Sequence, residues 1–214
     1  KPPELVDTLW EALTDSYCHT PMAVTAENLA EKYKITREDA DRFALRSQQK
    51  WAAAQESGAF ADEIVPIETP HGRWVHADGL VRADTTVEKL ARIKPVFAKD
   101  GTLTAGNSSA LTDGAAAVLL MSEDKARALG LKPLAAFRSW AYTGVDPADQ
   151  LLMGPALAMP KALDRAGLEL GAVDLVDMHE AFAAQAIAFP LKRPGPGRIK
   201  RDRDEVFLLK QVNK

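Results

Sequence analysis

The sequence predicts an α/β fold in which strand-like and helix-like segments alternate along the chain. The apolar run at 115–122 is short and unbroken, as expected for a strand buried on both faces of a sheet. Further strand-like stretches at 134–144 and 173–178 alternate with helix-like segments, which favours a layered architecture. We therefore expect helices packed on a sheet.

Two helices are predicted near the N-terminus. Thr25 is placed to cap a short helix at 25–34. Thr36 and Asp39 resemble a capping box for a second helix, in which Asp39 replaces the usual Glu or Gln. Gly58 stands where a C-terminal cap is expected, so the second helix ends just before it.

The middle of the chain predicts a small irregular subdomain. Short β-type stretches at 62–67 and 73–77 are interrupted by prolines and glycine. A helix at 86–93 is stopped by Pro95, and a polar loop follows at 101–114.

Two more helices are predicted in the second half of the chain. The first spans 123–129 and ends at Gly130. The second spans 155–166 and is interrupted at Pro160.

Composition excludes several classes of protein. With 214 residues and 46% hydrophobic content, the chain can bury a core in one or two domains. A net charge of -3 argues against a nucleic-acid-binding protein. The single cysteine, Cys18, excludes an intrachain disulfide and metal sites that need paired cysteines, so we expect a reducing, cytoplasmic compartment. No apolar run approaches the roughly 20 residues of a membrane span, and the opening on Lys1-Pro-Pro predicts that residue 1 is not the natural start.

Three separated blocks carry a family resemblance. The first is MAVTAENLAEKYKITREDADRFALRSQQKWAAAQ at 22–55, which contains an Ala-Glu pair and the pattern Asp-x-x-Ala-x-x-Ser. The second is IKPVF at 93–97 followed by LTAGNSSALTDGAAAVLLMS at 103–122, and the third is MHEAFAAQ at 178–185. In this order and spacing the blocks, over about 20–185, resemble the thiolase family.

The variants HEAF and DQLLMGP resemble the members that serve fatty-acid β-oxidation, such as the β-subunit of the trifunctional complex. The resemblance implies a transferase that moves an acyl group between 3-ketoacyl-CoA and CoA. In this family a cysteine takes the acyl group as a thioester, a second cysteine and a histidine move protons, and two oxyanion holes stabilise negative charge. CoA and acyl-CoA are the implied ligands, and no metal or further cofactor is implied. Full-length members are expected to form homo-oligomers or a β-oxidation complex.

The resemblance also implies a division into a partial thiolase-like fold, with layered α-β-α core pieces and an inserted α+β loop domain. Residues 1–111 form the CoA-binding loop domain, 112–132 close the N-terminal half, 133–185 open the C-terminal half, and 186–214 form a divergent basic tail. Since a complete thiolase packs two such halves together, we expect this piece to expose apolar faces.

Candidate site residues come from the same comparison. His179 stands where most thiolases have an asparagine that helps hold a catalytic water in one oxyanion hole, and a neutral histidine can offer the same N–H. Glu180 either orients that site or bridges to a neighbour. The CoA and acyl channel is assigned to Met22, Arg82, Phe97, Ala105, Ser108, Ser109, Leu111, Ala181 and Phe182. The alternative is a solvated surface side chain for Arg82, a tight turn before a buried strand for the small residues of the loop at 105–111, and core packing for the four remaining residues.

Parts of the family's catalytic set do not occur in this sequence. The nucleophilic cysteine belongs upstream of the first block, and the Gly-His-Pro and Cys-x-Gly-Gly-Gly motifs are absent. Cys18 is interpreted as a structural cysteine, because no base or cation beyond the adjacent His19 is apparent. The isolated chain is therefore expected to be inactive. A non-catalytic CoA-binding module is one alternative, and a fragment that is not expressed is another.

The C-terminal segment from Ala186 differs in character from the rest. It carries eight Lys or Arg against three Asp or Glu around a Pro-Gly-Pro-Gly core, and it resembles nothing in the family. Two explanations stand: a change of reading frame, which the sharp charge reversal favours, or a genuine new tail.

Overall fold

The computed structural model describes residues 5–189. Within this range it contains eight α-helices and one two-stranded hairpin. The helices are α1 (Thr8–Ala12), α2 (Met22–Tyr33), α3 (Arg37–Glu56), α4 (Val87–Ala91), α5 (Glu123–Ala128), α6 (Pro147–Gln150), α7 (Gly154–Ala166) and α8 (Ala183–Ala188), and the strands are β1 (Ile67–Glu68) and β2 (Trp74–Val75). Short 3₁₀ turns cover Leu151–Met153 and Leu170–Ala172.

The packing of α2 against α8 forms the centre of the core. Ala26 and Ala30 on α2 and Ala184 and Ala188 on α8 are all buried. Each pair has the i, i+4 spacing that places two side chains on one helix face. Their small size lets the two helices approach closely. The larger buried side chains around them are Leu29, Ile35, Leu103, Leu152, Met153 and Phe189.

Helix α2 begins one turn earlier than the sequence predicted. Its N-cap is Pro21, and Thr25 lies inside the helix, fully buried. The Thr25 hydroxyl donates to the carbonyl of Met22 at 2.6 Å instead of capping. The prediction of Thr25 as the N-cap was wrong because the buried stripe of the helix already includes Ala23.

Both ends of α3 agree with the prediction. The Asp39 backbone N–H donates to the Thr36 hydroxyl at 3.1 Å, and the Asp39 carboxylate accepts from the Thr36 backbone N–H, also at 3.1 Å. This is the reciprocal capping box. At the other end Gly58 has a φ of 70°, the left-handed conformation typical of a residue just past a helix.

The predicted irregular subdomain contains the antiparallel hairpin. Ile67 pairs with Val75 and Glu68 with Trp74, so each strand is shorter than the predicted stretch. Gly72 makes the turn with a φ of 75°. The next helix, α4, is capped by the Thr86 hydroxyl, which accepts from the backbone N–H of Lys89.

The apolar run at 115–122 does not form a strand. No backbone hydrogen bond joins 110–121 to any part of the chain that the structure describes. Val118 and Leu119 are 82% and 80% exposed. The predicted buried strand was therefore wrong for this chain, since a strand requires a hydrogen-bonded neighbour and no described segment pairs with this one.

The stretch at 134–144 is also not a hydrogen-bonded strand, but side chains hold it along α7. The Ser139 hydroxyl donates to Ala162 O at 2.6 Å and the Thr143 hydroxyl to Gly154 O at 3.1 Å. From 139 to 145 half-buried and exposed residues alternate, which is the period of an extended chain. One face lies on α7, and the other is open.

Two further predictions in this half need correction. Residues 173–178 do not form a strand among the described residues, although Val176 and Met178 are half-buried and Leu175 is exposed. Helix α7 is continuous from Gly154 to Ala166, with Pro160 inside it. Pro160 removes one backbone donor without ending the helix.

The predicted boundary after residue 185 falls inside α8, which runs from Ala183 to Ala188. Ala186, Ala188 and Phe189 are buried in the core. The core therefore includes residues on both sides of this predicted boundary. The rest of the predicted basic tail, 190–214, lies outside the described residues.

Candidate functional site

Two of the segments that carry the resemblance lie side by side in the structure. We call residues 101–109 the serine loop and residues 179–182 the HEAF turn. The Ser109 backbone N–H donates to Ala181 O at 2.8 Å, and the Ala183 backbone N–H donates to Asn107 O at 2.9 Å. Ser108 and Phe182 form an antiparallel bridge between these bonds. The candidate site is centred on this pairing.

Helix α2 holds the beginning of the serine loop. The Glu27 carboxylate accepts from two consecutive backbone N–H groups, those of Thr102 and Leu103, each at 2.9 Å. Hydrogen bonds to an ionised carboxylate are stronger than bonds between neutral groups. The position of the loop is thus fixed by a charged group on another element.

Helix α3 holds the end of the same loop through Asn107. The Asn107 side-chain N–H₂ donates to Asp41 Oδ1 and to Thr102 O, both at 2.9 Å. The Asn107 side-chain oxygen accepts from the Thr104 backbone N–H at 2.8 Å. Asn107 is 4% exposed and Asp41 1% exposed, so these bonds form in the interior. Every polar atom of the Asn107 side chain is thereby used.

Arg37 balances the buried charge of Asp41. Its Nε donates to Asp41 Oδ2 at 2.8 Å, one turn along α3. Its Nη2 donates to the carbonyls of Leu90 at 2.6 Å and Ile93 at 2.9 Å. A buried carboxylate needs such a partner because its desolvation is costly. The same guanidinium fixes the end of α4, just before Phe97.

Helix α3 also contacts the HEAF turn. The Ser47 hydroxyl donates to Glu180 Oε2 at 2.6 Å. Of the two roles predicted for Glu180, the structure shows the bridge to a neighbouring residue. His179, the adjacent residue, is exposed and makes no hydrogen bond to the described residues. Its ring is therefore open to a ligand or to solvent.

A cavity of about 230 Å³ lies beside the Ser47–Glu180 bond, between α3 and 175–180. Its aromatic wall is Trp51 stacked on Phe60, with 4.5 Å between ring centroids. Burial lowers the pKa of Lys50 in this wall; the Arg46 charge lowers it further, and the Glu180 carboxylate opposes the shift. Cations and carboxylates both face this cavity.

The predicted CoA-facing residues other than Arg82 lie in three kinds of environment, and Phe182 belongs to two of them. Met22, Phe97 and Phe182 are half-buried and pack against the core. Ser108, Ser109, Ala181 and Phe182 meet in the bridge already described. Ala105 and Leu111 are exposed, and Leu111 lies at the start of the unpaired run.

Ser108 has an unusual hydroxyl. Its Oγ is buried and has no hydrogen-bond partner among residues 5–189. Leaving a buried polar atom unpaired costs free energy, so each such atom needs an explanation. One explanation is a ligand group bound at this position, since a hydroxyl can both donate and accept a hydrogen bond.

Arg82 lies outside the bridge but is tied to α3. Its backbone N–H donates to the side-chain oxygen of Gln48, the neighbour of Ser47, at 2.8 Å. Its guanidinium is exposed. Nearby, the Lys89 ammonium donates to the Asp84 carboxylate at 2.5 Å, so part of its charge is neutralised within the chain.

Cys18 lies in a turn held by Asp15. Its backbone N–H donates to Asp15 Oδ1 at 2.9 Å, and this bond is the main cause that lowers the pKa of Asp15. Activation of a thiol needs a cation or a general base held beside it. The contact at this turn is the Asp15 carboxylate on the Cys18 backbone N–H, and His19 is its neighbour in sequence. His71 and His76 are exposed, as predicted for surface residues.

The sequence offered no indication of a role for Glu27 or Asn107, and Asp41 and Ser47 stood out only as the two ends of the pattern Asp-x-x-Ala-x-x-Ser. A signal was nonetheless present for Asp41, since it follows Arg37 at the i, i+4 spacing of a helical ion pair. Nothing in the sequence near Asn107 predicted its distant partner.

No helix within 5–189 has the length and apolar character needed to cross a bilayer.

Family models match nearly the whole described chain. The thiolase N-terminal domain matches residues 3–124, and the thiolase C-terminal domain matches residues 131–192. The match ends seven residues beyond the limit of 185 drawn from the motifs, which agrees with the position of α8.

Named relatives and solved structures point the same way. The chain is 54% identical over 186 residues to an acetyl-CoA acetyltransferase of Pseudomonas aeruginosa, covering 85% of this chain and 46% of the relative. It is 48% identical over 188 residues to a mitochondrial 3-ketoacyl-CoA thiolase of Rattus norvegicus, covering 86% and 47%. The crystal structure of human mitochondrial 3-ketoacyl-CoA thiolase in complex with CoA matches with a TM-score of 0.83 at 46% identity, over 88% of this chain and 47% of that one.

The chain thus spans about half the length of the curated relatives it matches. The structural match confirms the partial thiolase-like α/β fold predicted from the sequence. Together with the two domain matches, these similarities establish that the chain belongs to the thiolase family.

Proposed function

We propose that this chain supplies the CoA-facing part of an acyl-CoA acyltransferase of the thiolase type. The observation that carries the proposal is the pairing of the serine loop with the HEAF turn through Ser109 and Ala181. This pairing unites the two segments whose family counterparts face CoA and the acyl group. The names of the relatives, acetyl-CoA acetyltransferase and 3-ketoacyl-CoA thiolase, support the same reaction class.

Three residues carry the proposed contacts to CoA. The buried Ser108 hydroxyl faces no protein partner among the described residues, so it is available to an amide of the pantetheine arm. Ser109, the next residue along the chain, carries a second hydroxyl at the surface. The exposed Arg82 guanidinium can stack on adenine and pair with phosphate at once. Met22, Phe97, Ala105, Leu111, Ala181 and Phe182 are proposed to line the remainder of the channel.

His179 is proposed to donate a ring N–H at an oxyanion hole. Its exposed ring has no competing hydrogen bond to the described residues, and Glu180 beside it is held by Ser47. Donors held in place before the reaction stabilise developing negative charge most effectively. CoA acts here as substrate, and no further cofactor is proposed.

The 214-residue chain is proposed to bind CoA without catalysing thiolysis. Acyl transfer requires a nucleophile, and the only thiol in the sequence, Cys18, lies in a turn held by Asp15 and has no hydrogen bond to a histidine among the described residues. A non-catalytic CoA-binding module is therefore the second candidate. The open His179 ring favours the transferase, and the Cys18 turn favours the binding module for the chain alone.

Calorimetry with CoA tests the binding proposal. We expect a measurable affinity that falls about tenfold or more in Ser108→Ala and in Arg82→Ala, with Arg127→Ala on the distant α5 as the matched control. The Arg82 contribution should weaken as salt is raised, because phosphate pairing is screened. No heat at millimolar CoA would remove the binding proposal.

A thiolysis assay with acetoacetyl-CoA and CoA tests the second part. We expect no turnover by the isolated chain. Turnover lost in Cys18→Ser would identify Cys18 as a nucleophile and overturn the assignment of a structural cysteine. Turnover that persists in Cys18→Ser would overturn the proposed inactivity altogether.

Compartment, subfamily and assembly also stand as proposals. The single cysteine supports a reducing compartment, and we propose the cytoplasm. The β-oxidation type is supported by the HEAF sequence and by the 3-ketoacyl-CoA thiolase relatives. Association into a homo-oligomer or a β-oxidation complex is proposed for the full-length protein.

A further inference from the structure

Asp41, Ala44 and Ser47 follow one another at intervals of three residues on α3. Residues at i, i+3 and i+6 are successive neighbours along a helix surface; they span about 9 Å of its axis and turn by about 120° around it. Asp41 contacts the serine loop through Asn107, and Ser47 contacts the HEAF turn through Glu180. The pattern Asp-x-x-Ala-x-x-Ser therefore joins one helix to both segments of the candidate site.

We propose that Asp41 and Ser47 are positioning residues that set the relative placement of the serine loop and the HEAF turn. This inference rests on the proposed function, because it names residues that prepare the proposed CoA site without touching the ligand. Neither Asp41 nor Ser47 belongs to the predicted CoA-facing residues.

Asp41 acts on the serine loop indirectly, through Asn107. Asp41 orients the Asn107 side chain, and the backbone carbonyl of Asn107 accepts from the Ala183 backbone N–H at 2.9 Å. Ser108, with its buried unpartnered hydroxyl, is the next residue along the chain. Loss of the Asp41 contact would remove one of the bonds that hold Asn107, and with it the backbone that carries the Ala183 bond and Ser108.

The Ser47 contact acts on the HEAF turn in the same way. Glu180 lies between His179, the proposed donor, and Ala181, whose carbonyl accepts from the Ser109 backbone N–H at 2.8 Å. The 2.6 Å bond from Ser47 restrains the Glu180 side chain on the α3 side of the turn. Without the Ser47 hydroxyl, Glu180 would lose its hydrogen bond to α3.

Ala44 lies between the two polar residues along α3. It is 9% exposed and so lies against the neighbouring structure. A small side chain at this point lets α3 come close to the segments that Asp41 and Ser47 bind. The three residues thus combine two hydrogen bonds with one close packing position.

Hydrogen exchange of single amides tests the proposal on the full chain. The Ser109 and Ala183 N–H groups close the bridge between the two segments, and the Ala30 N–H in the buried α2 reports on the core. In Ser47→Ala we expect exchange of the Ser109 amide to rise about tenfold while exchange of Ala30 is unchanged. In Asp41→Asn the same rise is expected at Ala183.

Two variants serve as controls on the same helix. Ser57→Ala removes a hydroxyl that only contacts the Ala54 carbonyl at the exposed end of α3, and it should leave both bridging amides unchanged. Ser47→Thr retains a hydroxyl and should restore the protection lost in Ser47→Ala. Asp41 is changed to Asn and not to Ala because Asn keeps the size of this buried side chain, so the variant is expected to fold.

The affinity for CoA gives the second measurement. We expect Ser47→Ala and Asp41→Asn each to weaken binding about tenfold, with Ser57→Ala as wild type. If the wild-type chain binds no CoA but the bridging amides respond as described, the proposed function fails and the positioning role stands. If Ser109 and Ala183 exchange no faster than in wild type, or only in step with Ala30, the positioning role is overturned.

Discussion

Gly101 lies so close to Glu27 that a Cβ atom added to it would come within 2.3 Å of Glu27 Oε1. The same carboxylate accepts from the next two backbone N–H groups, those of Thr102 and Leu103. A side chain at residue 101 would have to displace the group that anchors the serine loop. Gly101 is therefore required by the approach of Glu27.

Gly101→Ala should destabilise the chain by about 1–3 kcal/mol, because the carboxylate must move away from its two N–H partners or the loop must shift. Denaturant unfolding measures the change. Gly79→Ala is the matched control, since an added Cβ there meets nothing within 4 Å. Equal stability of the two variants would contradict the anchoring role of Glu27.

Gly106→Ala tests the other side of the serine loop. An added Cβ would lie 2.7 Å from both Leu90 Cδ2 and Ile93 Cδ1, which is inside the normal contact distance. We expect a loss of about 1–3 kcal/mol from overpacking. The double variant Gly106→Ala with Ile93→Val should recover part of this loss, and thermal unfolding of both variants would show whether it does.

Removal of the capping box should destabilise the start of α3. Thr36→Ala removes the acceptor for the Asp39 backbone N–H, at an expected cost of about 1 kcal/mol. Thr36→Ser keeps the hydroxyl and should be close to wild type. Circular dichroism during denaturation measures both. A Thr36→Ser variant as unstable as Thr36→Ala would point to packing of the methyl group instead.

The Asp84–Lys89 pair predicts a measurable titration. The hydrogen bond and charge of Lys89 hold the pKa of the Asp84 carboxyl below its ordinary value of 3.8. Because the folded-state pKa is lowered, the stabilising contribution is present above about pH 4 and is lost as the pH falls through the folded-state pKa. An NMR titration should show the shift, and Lys89→Ala should return the pKa towards 3.8. High salt should also reduce the shift in the pKa of Asp84, because it screens the charge of Lys89.

Apolar side chains along two unpaired segments predict self-association. Leu119 is 80% exposed and Phe137 also 80% exposed. Patches of this kind favour association between molecules. We expect concentration-dependent sedimentation that falls when both residues are changed to Lys. A control with Ala128→Lys and Ala172→Lys adds the same charge at exposed positions outside the two segments, and it should change sedimentation little.

Local signals in the sequence determined the ends of several helices. The Thr36–Asp39 box and Gly58 bound α3 as predicted, because a cap depends only on residues within one turn. Gly130 follows α5 for the same reason. The order and spacing of the three motif blocks likewise needed no coordinates. Their resemblance to the thiolase family depends on the sequence alone.

Only the tertiary structure decided which of these segments meet. The Asp41–Asn107 bond joins residues 66 positions apart, and the Ser47–Glu180 bond joins residues 133 apart. No local pattern encodes such pairings, because they depend on how whole helices pack. The unpaired run at 115–122 shows the converse: its sequence has the character of a buried strand, yet a strand forms only where another supplies hydrogen bonds.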